Sequence, residues 1–221
     1  MSSVQGICNL ALSHIGSSRR IASIDPPDGS FEADLCSTFY PQAVTETLEL
    51  HDWSFARKRI ALGLMATNDN DIWAYAYGLP SDCLVPQRIP TGDSTQVGQD
   101  TEPFDVEGTT ILTNKAEAVL VYTQPVSDST KFSGTFTVAL SYLLASHLAG
   151  PIIKGDEGAK AAVSYRKAAM DLARAAITLD ANKTQSQPEH MPSALIARGS
   201  GTGIGASSSD DNRYGSGYGI Y

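Results

Sequence analysis

The residues of this chain that come nearest to acid–base chemistry are His51 and Asp52, which are neighbours in the sequence. A carboxylate beside an imidazole can orient the ring and support a general base, as in a catalytic triad. The same pair also fits a histidine at the C-terminal end of a helix, where the helix dipole favours a cation. We prefer the second interpretation, because the sequence contains no G-x-S-x-G nucleophile motif. The pair still defines one alternative function, a small cytoplasmic hydrolase.

Other candidates for catalysis lack the context that such chemistry requires. The glycine-rich residues 199–205 look like a phosphate loop, but no strand precedes them and no helix follows. The carboxylate pairs Asp156-Glu157 and Asp210-Asp211 fall at a helix start and in a flexible segment, not in a cleft. The sequence therefore predicts no enzyme, and neither a nucleotide nor another cofactor.

The cysteines and the remaining histidines favour packing over metal binding. Cys8, Cys36 and Cys83 are widely spaced and show no Cys/His ligand pattern, so we expect no metal. Cys8 and Cys36 lie among apolar residues at helical positions and are expected in the core. His14 and His147 also fall on helix faces, where a hydrogen-bonded packing role is the simpler interpretation.

Two short basic clusters, Arg19-Arg20 and Arg57-Lys58-Arg59, define a second alternative, a weak nucleic-acid-binding module. Phosphate contacts need lysine and arginine, yet the chain has 16 basic and 24 acidic residues and a formal net charge of −8. We therefore assign these clusters to solvated or intersubunit surface.

The elements that position these residues begin with two helices. Apolar residues at spacings of three and four predict a first helix over residues 3–15, with Ser2 in a capping box and Gly16 as its stop. A second helix is expected over residues 31–50, which Pro41 should kink or split.

The middle of the chain changes to a period of two. A strand is expected at Trp73 to Tyr77, interrupted by nearby prolines. The acidic residues 89–110 are expected to form loops around a short strand. Residues 111–113 and 118–122 are expected to pair as a hairpin around Asn114-Lys115. The sequence thus predicts a small antiparallel β domain over residues 57–126, between helical segments 1–56 and 127–180.

Two further helices are expected in the second half. The third should run over residues 133–149 and stop at Gly150-Pro151. The fourth should start near Asp156, a candidate N-cap, and carry a narrow seam of small residues to Asp180. The seam, which includes Tyr165, Ala169, Leu172, Ala176 and Leu179, should allow close approach to a neighbour.

The last segment, residues 181–221, differs in composition from the rest. Its final 23 residues contain seven glycines and five serines, which predicts a flexible arm. A pure spacer has no need for large side chains near its end. We therefore expect the arm to bind a partner through a set of aromatic, apolar and basic anchors: Arg213, Tyr214, Tyr218, Ile220 and Tyr221.

The order of these elements resembles the tail tubular protein A family of short-tailed bacteriophages, the head-to-tail adaptors. The matching stretches are residues 8–16, 21–24, the acidic turn and helix with Glu32-Ala33, the aromatic exit at 51–56, and residues 136–151. The alanine-rich fourth helix also fits. The resemblance covers residues 3–180, but Pro41 and the C-terminal arm depart from it.

This resemblance implies an α+β fold and a structural role without catalysis. Adaptors of this family form a ring, typically a dodecamer, that joins the portal protein to the tail nozzle, formed by tail tubular protein B. Genomic DNA passes through the lumen without specific binding. The implied location is the neck of the virion, after synthesis in the host cytoplasm, with no membrane. The acidic balance suits a channel, because a basic lumen would hold phosphate.

Overall fold

The computed structural model describes residues 3–68, 70–92 and 101–183 of the 221. These residues form four α-helices and two antiparallel sheets, which confirms the predicted α+β class with a β domain between the second and third helices. The helices are α1 (Val4–Ile15), α2 (Phe31–Glu49), α3 (Gly134–Ile153) and α4 (Gly155–Ala181). The strands are β1 (Arg57–Ala61), β2 (Tyr75–Gly78), β3 (Val85–Pro90), β4 (Thr101–Glu102), β5 (Phe104–Glu107), β6 (Thr110–Thr113) and β7 (Val119–Thr123).

Helix α1 begins at Val4, one residue later than predicted. Ser3, not Ser2, is the N-cap, and its hydroxyl oxygen accepts a hydrogen bond from the backbone N–H of Gly6. Gly16 ends the helix as predicted, with a positive φ of 80° that favours glycine.

Helix α2 runs unbroken through Pro41, so the predicted split is wrong. Ser30 is the N-cap and accepts a hydrogen bond from the N–H of Ala33. Pro41 lies on the exposed side of the helix, where water can satisfy the carbonyl that its missing N–H leaves free.

Helices α3 and α4 are separated only by Lys154. Pro151 does not stop α3, which continues to Ile153 and ends because Lys154 takes a positive φ of 61°. Asp156 is not the N-cap of α4 but lies in its first turn. Leu179, expected in the buried seam of α4, is exposed, whereas Gly158, Ala169, Ala173 and Ala176 are buried, as close packing of this helix requires.

One core joins the four helices. It combines apolar residues of α1, α2 and α3 with the alanines of α4, and Trp53 lies fully buried within it. Helix α3 is long and apolar enough to cross a membrane by length and composition, but most of it is buried here. It is therefore the central helix of the bundle.

The seven strands form two sheets, ordered β1-β7-β3-β4 and β2-β6-β5. The chain bends from one sheet to the other after β1, where Leu64 bridges to Tyr77, and again at Pro103 between β4 and β5. Residues from both sheets share one core, which includes Tyr77, Ile111 and Leu120. Since both margins are joined by bent strands, we describe this unit as a partly closed β-barrel.

The predicted hairpin between residues 111–113 and 118–122 is wrong. Strand β6 pairs with β2 and β5, whereas β7 pairs with β1 and β3 in the other sheet. The connection between β6 and β7 passes from one sheet to the other. It includes Glu117, which has a positive φ of 52°. Asn114 was expected in the hairpin turn. Its side-chain oxygen instead accepts a hydrogen bond from the backbone N–H of Ala74 at 2.9 Å.

Strand boundaries in the barrel also differ from the prediction. The strand expected from Trp73 begins at Tyr75, and Pro86 and Pro90 lie within β3. A register shift next to Pro86 accommodates the missing donor. Residues 101–110, expected to be loops around a short strand, form β4, β5 and the start of β6, while residues 111–113 are in a strand as predicted.

Candidate interface

The outer face of the three-stranded sheet carries an open groove of about 240 Å³. Ala76 and Leu112 are paired across β2 and β6 and lie at its bottom, where they are only 4% and 3% exposed. Their neighbours Tyr77 and Ile111 point to the barrel core, since successive side chains of a strand alternate between faces. The rest of the lining comes from the β1–β2 loop and the β5–β6 hairpin: Met65, Thr67, Asn68, Asn70, Glu107 and Thr110.

Two asparagines hold the β1–β2 loop that forms one wall of the groove. The side-chain oxygen of Asn70 accepts hydrogen bonds from the backbone N–H groups of Ile72, at 2.8 Å, and Trp73, at 3.2 Å. Asn68 donates to the carbonyl of Trp73 at 2.6 Å. This bonding leaves Ile72 81% exposed and Leu64 63% exposed, so the loop presents apolar side chains to solvent.

The opposite wall of the groove is acidic. Asp105 and Glu107 alternate with Phe104 and Val106 and point away from the barrel core. The ion pairs found between described residues involve neither of them. Of the acidic stretch over residues 89–110, residues 93–100 lie outside the described part of the chain.

His51 and Asp52 do not form a dyad. The Asp52 carboxylate accepts two hydrogen bonds from Nε of Arg57, at 2.9 and 3.0 Å, and one from Arg88 at 3.0 Å. His51 turns the other way, edge-on to Trp53, with Nε2 3.9 Å from Asp180. Asp52 therefore connects the exit of α2 to strands β1 and β3 and does not orient the imidazole.

Asp180 ties the end of α4 to the turn after α2. Its buried carboxylate accepts hydrogen bonds from the N–H and the hydroxyl of Ser54, both at 2.7 Å, and from Lys183 at 2.8 Å. Burial alone would raise the pKa of Asp180, but these hydrogen bonds outweigh it and hold the pKa below its usual value. This contact fixes the position at which the chain leaves α4.

Much of the basic charge near β1 is neutralised within the fold. Arg57 binds Asp52, and Lys58 forms an ion pair with Asp82 at 2.6 Å. Arg19 lies 3.9 Å from Glu32. The ion pairs between described residues thus engage three of the five cluster cations and do not include Arg20 or Arg59. A module that binds phosphate needs unpaired cations, so the nucleic-acid alternative depends on these two.

The structure packs His14 and His147 against aromatic rings. His14 stacks on Tyr142 at a centroid distance of 3.9 Å and lies 3.1 Å from the hydroxyl oxygen of Ser141. Burial lowers the pKa of His14. His147 stacks on Phe39, with Nε2 3.3 Å from Glu46. The predicted hydrogen-bonded packing role is confirmed for His14. For His147 the packing is confirmed, but the described residues supply no hydrogen-bond partner for its buried Nε2.

The predicted burial of Cys8 and Cys36 is also confirmed, since both lie in the core of the bundle. Cys83 is half-buried, and burial raises its pKa to about 11. A search of residues 3–68, 70–92 and 101–183 finds no group of three or more His, Cys, Asp and Glu that could hold a metal.

The stretches that carry the family resemblance meet in the bundle. The side chain of Asn9 makes two hydrogen bonds with the backbone of Ile21, accepting at 2.9 Å and donating at 3.1 Å. Gln5 donates to the same carbonyl at 3.0 Å. Trp53, from the aromatic exit, packs edge-on against Phe136 of α3 with ring centroids 5.0 Å apart. These residues are structural, so the resemblance is carried by packing and turns.

The predicted partner-binding residues of the arm lie outside the described part of the chain, as do His190 and the glycine-rich residues 199–205. The partner-binding set is Arg213, Tyr214, Tyr218, Ile220 and Tyr221. The groove, in contrast, was missed by sequence reasoning. Its signals were the asparagines at 68 and 70 and the apolar Leu64-Met65 and Ile72 between two strands.

Comparison of this chain with models of known protein families and with curated proteins finds no match. The resemblance to phage adaptors stays a prediction made from the sequence.

Proposed function

We propose that this chain is the subunit of a head-to-tail adaptor of a short-tailed bacteriophage. Copies of the chain would form a ring, of twelve subunits if the family pattern holds, between the portal protein and the tail nozzle. Genomic DNA would pass through the ring, which would belong to the neck of the virion. In this role the protein is structural and carries out no reaction.

The observation that carries this proposal is that the fold combines a tightly packed helical bundle with a barrel that has an open groove. The stretches resembling the adaptor family pack into one helical bundle, where Asn9, Trp53 and Phe136 have structural partners. The inserted barrel leaves Leu64 and Ile72 exposed beside a groove. A subunit that functions by contacting neighbours needs such a rigid body and such uncovered surface.

The charge of the chain also supports a role as a channel for DNA. The formal net charge is −8, and the basic residues Arg57 and Lys58 are engaged by carboxylates. An acidic or neutral channel lets a duplex slide, because it does not replace the counterions of the phosphates.

The test is electron cryo-microscopy of particles produced by the genome that encodes the chain. We expect density for a ring of this chain between portal and nozzle, into which the bundle and the barrel fit. A neck built without this chain would overturn the proposal. A particle with a long contractile tail that carries the chain elsewhere would overturn it too.

The predicted role of the C-terminal arm needs a separate test. Deletion of residues 199–221 should lower retention of the chain on purified portal complexes if the arm is a docking element. A matched variant that keeps the length and replaces Tyr214, Tyr218 and Tyr221 by serine separates aromatic anchoring from reach. Unchanged retention of both variants would reject the arm as a docking element and leave the adaptor proposal in place.

A further inference from the structure

Helix α4 presents a face that is the chemical complement of the groove on the outer sheet. Lys160, Val163 and Lys167 follow each other at i, i+3 and i+7, so they share one side of the helix. Val163 is 72% exposed, which is unusual for a valine in a helix packed along most of its length. The face therefore consists of one apolar side chain between two lysines.

The lysines of this face are available to a partner. Lys160 lies 3.3 Å from Glu157, but both side chains are largely exposed, and such pairs contribute little. The ion pairs between described residues leave Lys167 unpaired, and Asp171, one turn further on, is engaged by Arg174 at 2.7 Å. A carboxylate brought by another molecule can therefore approach Lys167 without displacing an internal partner.

The groove offers the matching pattern. Its bottom, Ala76 and Leu112, is almost fully buried, and its walls carry exposed Met65 on one side and Glu107 on the other. Asp105 lies beside Glu107 on the same face of β5. Exposed Leu64 and Ile72 extend the apolar surface beyond the groove.

We propose that the groove receives the Lys160–Val163–Lys167 face of α4 from a second copy of this chain. Val163 would enter the groove against Met65, and Lys167 and Lys160 would face Glu107 and Asp105. The two patches are different surfaces of one chain, so the contact is heterologous and repeats from copy to copy, which is the kind of contact that builds a ring. This inference rests on the proposed adaptor function and names the subunit contact within it.

Disulfide trapping in particles tests the pairing directly. Particles are assembled from a chain with Val163→Cys and Thr110→Cys in a Cys83→Ser background, then oxidised with copper phenanthroline. We expect a ladder of covalently linked copies on a non-reducing gel. The matched control combines Thr110→Cys with Leu179→Cys, an exposed position on a different face of α4, and should give no ladder.

The outcomes separate the two proposals. A chain that forms the neck ring but gives no ladder, or the same ladder with the control, overturns the pairing and leaves the adaptor function intact. A chain that is absent from the neck overturns both.

Charge reversal gives an independent measurement. Glu107→Lys and Lys167→Glu should each lower the fraction of chain found in rings, by roughly tenfold, because each places like charges face to face. The double variant should recover to within roughly threefold of the original chain, since it restores opposite charges. Additive losses in the double variant would contradict the pairing.

Discussion

The helical bundle and the β-barrel of this chain are stabilised by different kinds of contact. In the bundle, α1 to α4 share an apolar core centred on Trp53 and Phe136, whose rings meet edge to face. In the barrel, two tyrosines enter the core with their hydroxyl groups satisfied: Tyr77 donates to the carbonyl of Lys115 and Tyr122 to Asp82, both at 2.8 Å. The bundle also has hydrogen bonds between distant segments, such as that of Ser54 to Asp180, but its core side chains meet chiefly by packing, whereas both core tyrosines of the barrel are hydrogen-bonded to distant segments.

The two parts also differ in what they leave uncovered. Both parts expose some large apolar side chains. In the bundle they are spread over the helices, as for Phe31, Val163 and Leu179, whereas in the barrel Leu64, Met65 and Ile72 lie together in the loop beside the groove. From this difference we expect fold stability to be concentrated in the helices, while the exposed apolar side chains of the insert are gathered in one loop.

The largest expected effect is that of Trp53→Ala in the bundle. Trp53 is fully buried, and its indole N–H donates to the carbonyl of Thr47 at 2.9 Å. Loss of the side chain should lower the free energy of unfolding by about 3–5 kcal/mol. Urea unfolding followed by circular dichroism measures the change.

The matched control is Trp73→Phe, which removes the other tryptophan of the chain. Trp73 is half-buried at the edge of the barrel, so we expect a change of less than about 1 kcal/mol. Each variant leaves one tryptophan as a fluorescent reporter of one part. Equal losses in the two variants would refute the claim that stability is concentrated in the bundle.

The next effect concerns the connection between the two parts. Asp52→Ala leaves Arg57 and Arg88 without the carboxylate that both contact, and their side chains are mostly buried. We expect a loss of about 2–3 kcal/mol, below the cost of breaking a fully buried pair because some solvent reaches the site. Asp171→Ala, which breaks the exposed pair with Arg174, should cost less than about 0.5 kcal/mol.

The fluorescence of Trp73, recorded in a Trp53→Phe background where it is the remaining tryptophan, shows what this connection does. If Asp52 couples the parts, the barrel reporter and the circular dichroism signal should unfold together in that background and separately when Asp52→Ala is added. Coincident transitions in the variant would mean that the apolar contacts alone couple bundle and barrel.

The bundle was largely predictable from the sequence because helical order is local. Spacings of three and four identified all four helices, and Gly16 marked a stop correctly. The errors arose where a rule about proline was applied without knowledge of the surrounding structure. Pro41 did not break α2 because it lies on the solvent side, and Pro151 did not end α3 because its end depends on the backbone of Lys154.

The presence of strands in the barrel was predictable from the sequence, but the pairing of these strands was not. The period of two indicated strands, yet no local pattern distinguishes a hairpin from two strands in opposite sheets, as for β6 and β7. Register there depends on partners far away in the sequence, such as β1 for β7. The groove depends on the same pairings, since Ala76 and Leu112 meet only because β2 and β6 are neighbours.

A smaller effect is expected from the pH dependence of Asp180. Its pKa is held below the usual value in the folded chain by hydrogen bonds from Lys183 and Ser54, which outweigh burial. The stability that Asp180 contributes is therefore present above the ordinary carboxyl pKa of about 4 and is lost as the pH falls through the lower folded pKa. His51, the other cation-forming group near it, lies 3.9 Å away.

Asp180→Asn should lower the free energy of unfolding by about 1–2 kcal/mol at pH 7 and by less at pH 3. Urea unfolding of both chains at a series of pH values measures the loss at pH 7 and at pH 3. A loss that is the same at pH 7 and pH 3 would show that the hydrogen bonds matter and the charge does not.

The smallest effect is a matched pair of tyrosine-to-phenylalanine changes, one in each part. Tyr77→Phe in the barrel removes the donor to the Lys115 carbonyl and should lower the free energy of unfolding by about 1 kcal/mol. Tyr40 in the bundle has a buried hydroxyl for which the described residues supply no hydrogen-bond partner. Tyr40→Phe removes a buried polar atom that has no hydrogen-bond partner, so it should raise the free energy of unfolding by about 0.5–1 kcal/mol. The chemical change is identical, so opposite signs in urea unfolding isolate the hydrogen bond. Two losses of equal size would show that both cores depend on hydroxyl groups alike and would remove the contrast between bundle and barrel.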